Sequence, residues 1–413
     1  MTTSSSSPPR SKVGEVTSHE SRLMKLMAPG LGPNLTPNLL VDFVNAKGNV
    51  LVALSSTTPA STSLVSLLSE LDITLPAERT GTVVDHFNYD TVSAPETHDT
   101  LVLDAPTSVR PGLKPYFDVG GVLALPHTAG HILGQSHLLA PVLRAPSTAY
   151  SYNPKEQAET VDPDDLFAAG QQLALVSTMQ ARNSARLTVL GSAEMLQDKW
   201  FDAKVARGDD KKVKTENREF SKRVSGWTFQ EIGVLRVNEI EHRLVGSNET
   251  NPEIYRIKTD VVSRIGCSST ADANTRQSYR ISVSEHVWDK WVPFVVPEGD
   301  NLQLEFSMLS PFHRLNLKPA AAGDSATAFS RTFTLPDQHG IFNFKVNYKR
   351  PFLTYVEEKR TVSVRHIAHD EWPRSYSISA AWPWLSGIGA TVTGFVGFAA
   401  VWMYSKPADK KRA

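Results

Sequence analysis

Apolar and polar positions divide the 413-residue chain into three regimes. As far as about Glu231, short apolar runs alternate with stretches of helical period. Asn49-Val50-Leu51-Val52-Ala53-Leu54 is a continuous apolar run, the pattern of a strand covered on both faces. Leu64, Leu67, Leu68 and Leu71 then recur at helical spacing. Thr82-Val83-Val84 and Thr100-Leu101-Val102-Leu103 predict strands, Gln171–Met179 a helix, and Arg186-Leu187-Thr188-Val189-Leu190 a strand ending at Gly191-Ser192. A helix from near Ala193 to Phe201 follows, and Phe220, Val224 and Trp227 mark the apolar face of another. Strands alternating with helices predict an α/β domain with a mostly parallel, covered sheet. The charged stretch Lys155–Asp165 reads as a surface loop.

After Gly233 the period falls to two. Tyr255/Ile257, Tyr279/Ile281/Val283, Leu302/Leu304/Phe306, Phe342/Phe344/Val346/Tyr348 and Val362/Val364 alternate with polar residues, and turn signals such as Pro297-Glu298-Gly299-Asp300 separate them. Such strands, without helices between them, predict an antiparallel β-sandwich.

The third regime is the uncharged apolar stretch Ile378–Tyr404. A helix rises about 1.5 Å per residue, so roughly 20 apolar residues cross a hydrocarbon core of about 30 Å. Trp382, Trp384, Trp402 and Tyr404 lie near its ends, where amphipathic rings meet headgroups. Gly387, Ala390, Gly394 and Gly397 form a stripe of small residues that lets a partner helix approach closely. The fold class expected is therefore α+β and multidomain. Residues 1–26 read as a disordered leader, 27–231 as the α/β domain and 232–372 as the sandwich. Residues 373–404 read as a membrane-proximal segment and transmembrane helix, and 405–413 as a tail.

The basic tail predicts a cytosolic carboxyl terminus by the positive-inside rule, which puts everything before the span in the lumen. Lys410 and Lys411, fourth and third from the end, have the spacing of a dilysine signal for retrieval to the endoplasmic reticulum. The polar, Ser/Pro-rich Met1–Arg22 contains no signal-like apolar core. A native start upstream of Met1 would reconcile the two ends. On the lumenal side, Asn248-Glu249-Thr250 and Asn34-Leu35-Thr36 become glycosylation sequons, the second weakened by Pro37.

Composition narrows the chemistry. Lys+Arg and Asp+Glu both number 43, so no net field points to nucleic acid. The one cysteine, Cys267, excludes an intramolecular disulfide and a multi-cysteine metal cluster, and it lies in the β region rather than after an α/β strand. No G-x-G-x-x-G, Walker lysine or G-x-S-x-G occurs where the sheet would need it. His127, His131 and His137 are the best metal candidate, the first two spaced for one helix face. Pro126, Gly130 and Gly134 interrupt that segment, and no nearby carboxylate completes a set. Asp85-His86-Phe87-Asn88-Tyr89-Asp90 offers an acid/base pair on paper, but Asp and Asn at a strand end more simply bond a turn. His369-Asp370-Glu371 reads as a solvated linker.

Several stretches together resemble one family. They are Val84–Asp90, Ala145–Ser151, Gln180–Arg186, Trp227–Val237, Trp291–Phe294, Leu302–Phe306, Pro311-Phe312, Leu335–Asp337 and Gly340–Val346. In order, and with the span and dilysine tail, they resemble the 48-kilodalton subunit of oligosaccharyltransferase, the wheat-germ-agglutinin-binding-protein subunit of fungi. The resemblance implies an amidotransferase-like α/β domain without its nucleophile. It also implies a non-catalytic subunit in the endoplasmic reticulum membrane. Its partners would be membrane lipid and other subunits of the complex, among them the catalytic one that carries the metal. It implies no catalytic residue, cofactor or metal in this chain. The family has a first strand and helix ahead of Leu31–Leu54. The Ser/Pro-rich leader stands in their place, so that strand and helix are expected to be missing. The competing readings are a membrane-anchored lumenal glycan-processing enzyme, which would need two carboxylates across a cleft, or a lectin.

Overall fold

A computed structural model describes residues 23–27, 36–105, 110, 112–153, 166–208, 212–244, 250–257, 277–366, 368 and 381–405. Strand β1 (Leu23–Met27) pairs in parallel with β2 (Asn49–Ala53). A strand thus begins inside the segment read as leader and forms one edge of the sheet. Between them lies α1 (Pro37–Asn45), capped by Thr36 with Pro37 in its first turn. Helix α2 (Thr62–Glu70), capped by Ser61, turns Leu64, Leu67 and Leu68 inward. The short strands β3 (Ile73–Thr74), β4 (Thr82–Val84) and β5 (Thr100–Asp104) follow, then the single turn α3 (Lys114–Phe117). Strands β6 (Val122–Pro126), β7 (His131–Leu133), β8 (Leu139–Arg144) and β9 (Tyr150–Tyr152) come next.

The centre of the sheet is β10 (Leu173–Gln180) beside β11 (Arg186–Leu190). The order is β1-β2-β11-β10-β7-β3, with β8 also on β10. Only β1–β2 and β2–β11 are parallel; the pairs made by β10, and β3–β7, are antiparallel. Two expectations are corrected here. The sheet is mixed, and Gln171–Met179 is mostly strand rather than helix. All eight residues of β10 are buried, and a strand covered on both faces loses the alternation that separates it from a buried helix. The helix expected from Ala193 to Phe201 is a 3₁₀ turn, Glu194–Leu196, followed by α4 (Asp198–Phe201), with Gln197 extended between them.

One face of the sheet packs Val50, Val52, Leu187 and Val189 against Leu40, Leu64, Leu67 and Leu68 of α1 and α2. The other packs Leu51, Leu175 and Leu190 against Phe220, Val224 and Trp227 of α5 (Asn217–Thr228), which follows the β12 (Lys204–Val205) and β13 (Val213–Lys214) pair. Each fully buried Leu or Val is worth about 1.5–3 kcal/mol.

The second domain is a sandwich of two five-stranded sheets. One holds β14 (Ile232–Leu244), β16 (Gln277–Val287), β17 (Lys290–Pro293), β20 (Lys318–Ala322) and β21 (Thr327–Phe333). The other holds β15 (Ile254–Arg256), β18 (Gln303–Ser307), β19 (Pro311–Asn316), β22 (Gly340–Tyr348) and β23 (Val356–Arg365). Pairing is antiparallel except for β15 on β23. The core is aromatic, with Phe306 stacked on Phe342 at 4.6 Å and Tyr279 against Phe344 at 5.4 Å. Helix α6 (Ala381–Tyr404) carries no charged residue, buries none of its side chains and is long and apolar enough to cross a membrane.

Candidate functional site

In a parallel α/β unit the place to look for chemistry is the carboxyl end of the strands. Here the ladder continues past β2 and β11, with Leu54 N–H donating to Leu190 O at 2.8 Å and Ala193 N–H to Leu54 O at 2.6 Å. Gly191 then passes between β10 and the connection from β6 to β7. A Cβ at that position would lie 2.5 Å from Ala129 O and 2.8 Å from Leu175 O. Ser192, where a nucleophile could stand, is fully buried and donates its hydroxyl to Pro126 O at 2.5 Å. Its oxygen also accepts from Met195 N–H at 3.4 Å, opening the 3₁₀ turn. The hydroxyl is thus a structural clasp.

His127 follows β6 with φ of 43°. Its Nδ1 is 2.9 Å from Glu194 Oε2 and its Nε2 3.5 Å from Asp99 Oδ2. Nδ1 is thus tied to Glu194, while Nε2 lies near Asp99 without a hydrogen bond to it. Its carbonyl accepts from Ser56 N–H at 3.0 Å. His131 lies in β7, on a strand rather than on a helix face shared with His127. It is wholly buried with Nε2 2.7 Å from Ser177 Oγ, and burial pushes its pKa down to about 3. His137 is exposed. The three imidazoles do not converge, and among the described residues no cluster of three metal-ligating side chains occurs.

Asp85 is fully buried and accepts from Phe87 N–H at 2.9 Å, Asn88 N–H at 3.3 Å, Asn88 Nδ2 at 2.8 Å and Thr148 Oγ1 at 2.8 Å. Asp90 accepts from Val92, Ser93 and Ala206 N–H and from Ser93 Oγ. These carboxylates hold turns. His86, exposed, contacts His98 Nδ1 at 2.6 Å and Tyr150 Oη at 3.0 Å.

The most concentrated polar feature lies elsewhere, at the joint between the domains. Arg186, 1 % exposed at the start of β11, donates to Trp227 O at 2.6 Å, Ile232 O at 2.7 Å, Gly233 O at 2.6 Å and Phe352 O at 3.5 Å. Its guanidinium stacks 4.7 Å from the Trp227 ring, and burial pushes its pKa down to about 9. Trp227 Nε1 donates to Phe352 O, Gln180 Nε2 to Leu353 O, and Tyr355 N–H to Ser184 Oγ. The β10–β11 turn thus grips the loop between β22 and β23. Asn183 ties the same turn to the end of α1 through Val44 O and Asn45 O. Sequence reasoning placed a domain boundary at 231/232 but missed Arg186 as its clasp. Its signal was a charged residue opening an otherwise apolar strand, within the Gln180–Arg186 stretch.

The comparisons divide at this joint. A family described as "OST48, N-terminal domain" matches residues 23–231, and "OST48 middle domain" matches residues 242–406. The chain belongs to the OST48 family. It is similar to the dolichyl-diphosphooligosaccharide–protein glycosyltransferase subunit wbp1 of Schizosaccharomyces pombe, with 32 % identity over 94 % of this chain and 81 % of the relative. It is also similar to the 48 kDa subunit of the same glycosyltransferase from Danio rerio, with 33 % identity over 92 % of this chain and 79 % of that protein. The Caenorhabditis elegans 48 kDa subunit shares 32 % identity over 94 % and 81 %.

In this family member, Gly387, Ala390, Gly394 and Gly397 all lie on α6, and the space a Cβ would take at each of these glycines is open. Asn34, Asn248, Lys410, Lys411, Cys267, the Lys155–Asp165 loop and His369-Asp370-Glu371 lie outside the described residues.

Proposed function

We propose that this chain is a non-catalytic structural subunit of the oligosaccharyltransferase of the endoplasmic reticulum, supporting transfer of a preassembled oligosaccharide from dolichyl diphosphate to asparagine of nascent proteins. The observation that carries the reading is the pair of family matches spanning 23–231 and 242–406, with relatives named as subunits of that glycosyltransferase. The site geometry supports the non-catalytic part. Ser192, Asp85, Asp90 and His127 are each committed to bonds within the fold.

The bulk of the chain is lumenal in this reading, anchored by α6, with the tail in the cytosol and Lys410 and Lys411 as its retrieval signal. The stripe Gly387, Ala390, Gly394 and Gly397 packs a helix of another subunit, and the sequons at Asn248 and Asn34 are candidates for lumenal glycosylation. The partners are membrane lipid and the other subunits, including the catalytic one. One experiment addresses both parts. Cells depleted of the chain are complemented with wild type, His127→Ala or Asn248→Gln, and oligosaccharide transfer is measured. Wild type and His127→Ala should restore transfer equally, and an endoglycosidase-sensitive mobility shift should disappear in Asn248→Gln. A His127→Ala complex that assembles normally but transfers no oligosaccharide would overturn the non-catalytic assignment.

A further inference from the structure

The sandwich has two distinct ends. At one, the loop after Tyr348 docks on Arg186 and Gln180 of the α/β domain. The nine residues of β22 run from there to Gly340, roughly 27 Å away at about 3.3 Å per residue. At that far end β23 finishes at Arg365, opposite Arg256 of β15, and the chain departs toward α6.

The far end also collects exposed apolar side chains. The β18–β19 hairpin turns there through Met308, Leu309 and Ser310, just beyond the Ser307–Pro311 pair. Leu309 at its apex is 98 % exposed, more than any other large hydrophobic residue described, α6 included. Ile341 is 62 % and Ile254 59 % exposed. These two are not scattered. Both pair with Ser363, from opposite sides, so they stand in one row on the outer face of the sheet. Met308 joins the apex to this row, since a Cβ on Gly340 would lie 2.8 Å from its sulfur. The outer face elsewhere is polar, with Glu357 and Lys359 exposed and Glu305 and Lys345 half-buried beside them.

We infer that this corner, Leu309 with Ile341 and Ile254, rests in the lipid headgroup region of the same membrane that α6 crosses. An isolated exposed leucine needs no explanation, but an apolar cluster on an otherwise polar face does. Its position selects the occupant. It lies at the end from which the chain leaves for its span, and the intervening sequence carries Trp372, Arg374 and Tyr376, residue types that favour the headgroup layer. Arg256 and Arg365 border the corner with basic residues, as an anionic or zwitterionic lipid surface favours. The contact gives the lumenal body a second point on the membrane and fixes its tilt about α6. The inference rests on the membrane span and not on the subunit role.

The test uses the full chain, purified with whatever complex it forms and placed in phosphatidylcholine nanodiscs containing nitroxide-labelled lipid. In a Cys267→Ser background, Leu309→Cys, Ile254→Cys and Glu298→Cys are labelled one at a time with an environment-sensitive fluorophore. Glu298 is exposed near the opposite end and serves as the reference. Labels at 309 and 254 should be blue-shifted, lose most of their emission to the nitroxide lipid and resist aqueous iodide. The label at 298 should show the reverse. Iodide quenching at 309 equal to that at 298 would overturn the inference. Protection from iodide without quenching by lipid would overturn it too, because the corner would then be covered by protein.

Discussion

At the residue scale, the groups that resemble catalytic ones have been turned to structural work by burial. His131 is the clearest case. Its Nε2 meets Ser177, its Nδ1 has no partner among the described residues, and desolvation holds the ring neutral, with its pKa down at about 3. The unfolded chain gives this imidazole an ordinary value of 6.5. Between those two values the unfolded state binds more protons than the folded one, so stability must fall as pH drops through 6.5 and go on falling toward 3. The slope from this residue is at most about 1.4 kcal/mol per pH unit. His242, also pushed down by burial first and then by Arg360, adds to it with the same sign. Denaturant unfolding of wild type against His131→Gln at pH 7 and pH 5 should show a smaller acid penalty in the variant. Equal penalties would contradict the account.

At the scale of elements, the helices anchor to the sheet by side chains that imitate backbone. Asn217 opens α5 and bonds both groups of Ala124 in β6, accepting from N–H at 3.0 Å and donating to C=O at 2.7 Å. Asn217→Ala would leave two buried backbone groups unpaired, at about 1–3 kcal/mol each. Hydrogen exchange should show early opening of the first turn of α5 and of β6, with α1 and α2 unchanged. This scale also shows how far the sequence could be read. Strand β2, helix α2 and the alternating strands of the sandwich were legible because one period dominates each of them. Strand β10 was not, because both of its faces are covered and its run Leu173–Val176 carries no period. The mixed direction of the sheet was hidden with it, since β10 runs antiparallel to β11, β7 and β8, and a segment read as a helix cannot show the hairpin it forms with β11. At the candidate site, the turn-holding role of Asp85 was readable from its neighbours. The distances that tie His127 to Asp99 and Glu194 were not, because those partners lie 28 and 67 positions away in the chain.

At the scale of the whole molecule, one buried cation couples two domains. Arg186 bridges carbonyls of α5, β14 and the β22–β23 loop. A single ammonium cannot reproduce its planar fork. Arg186→Lys should therefore cost about 3 kcal/mol or more, since it strands buried carbonyls and a charge without full pairing. Limited proteolysis should then cut between residues 228 and 234, where wild type resists. Holding the α/β domain on the sandwich is the mechanical property a scaffold subunit needs. Such a body is built to be held by other subunits of the glycosyltransferase, as the names of its relatives imply. The most direct measurement is affinity purification of the full chain in mild detergent, with a tag placed in the Lys155–Asp165 loop so that the tail stays free. Recovery of the catalytic transferase subunit in near-equal amount is the expected result. Recovery of the chain alone, despite stable insertion in the membrane, would contradict it.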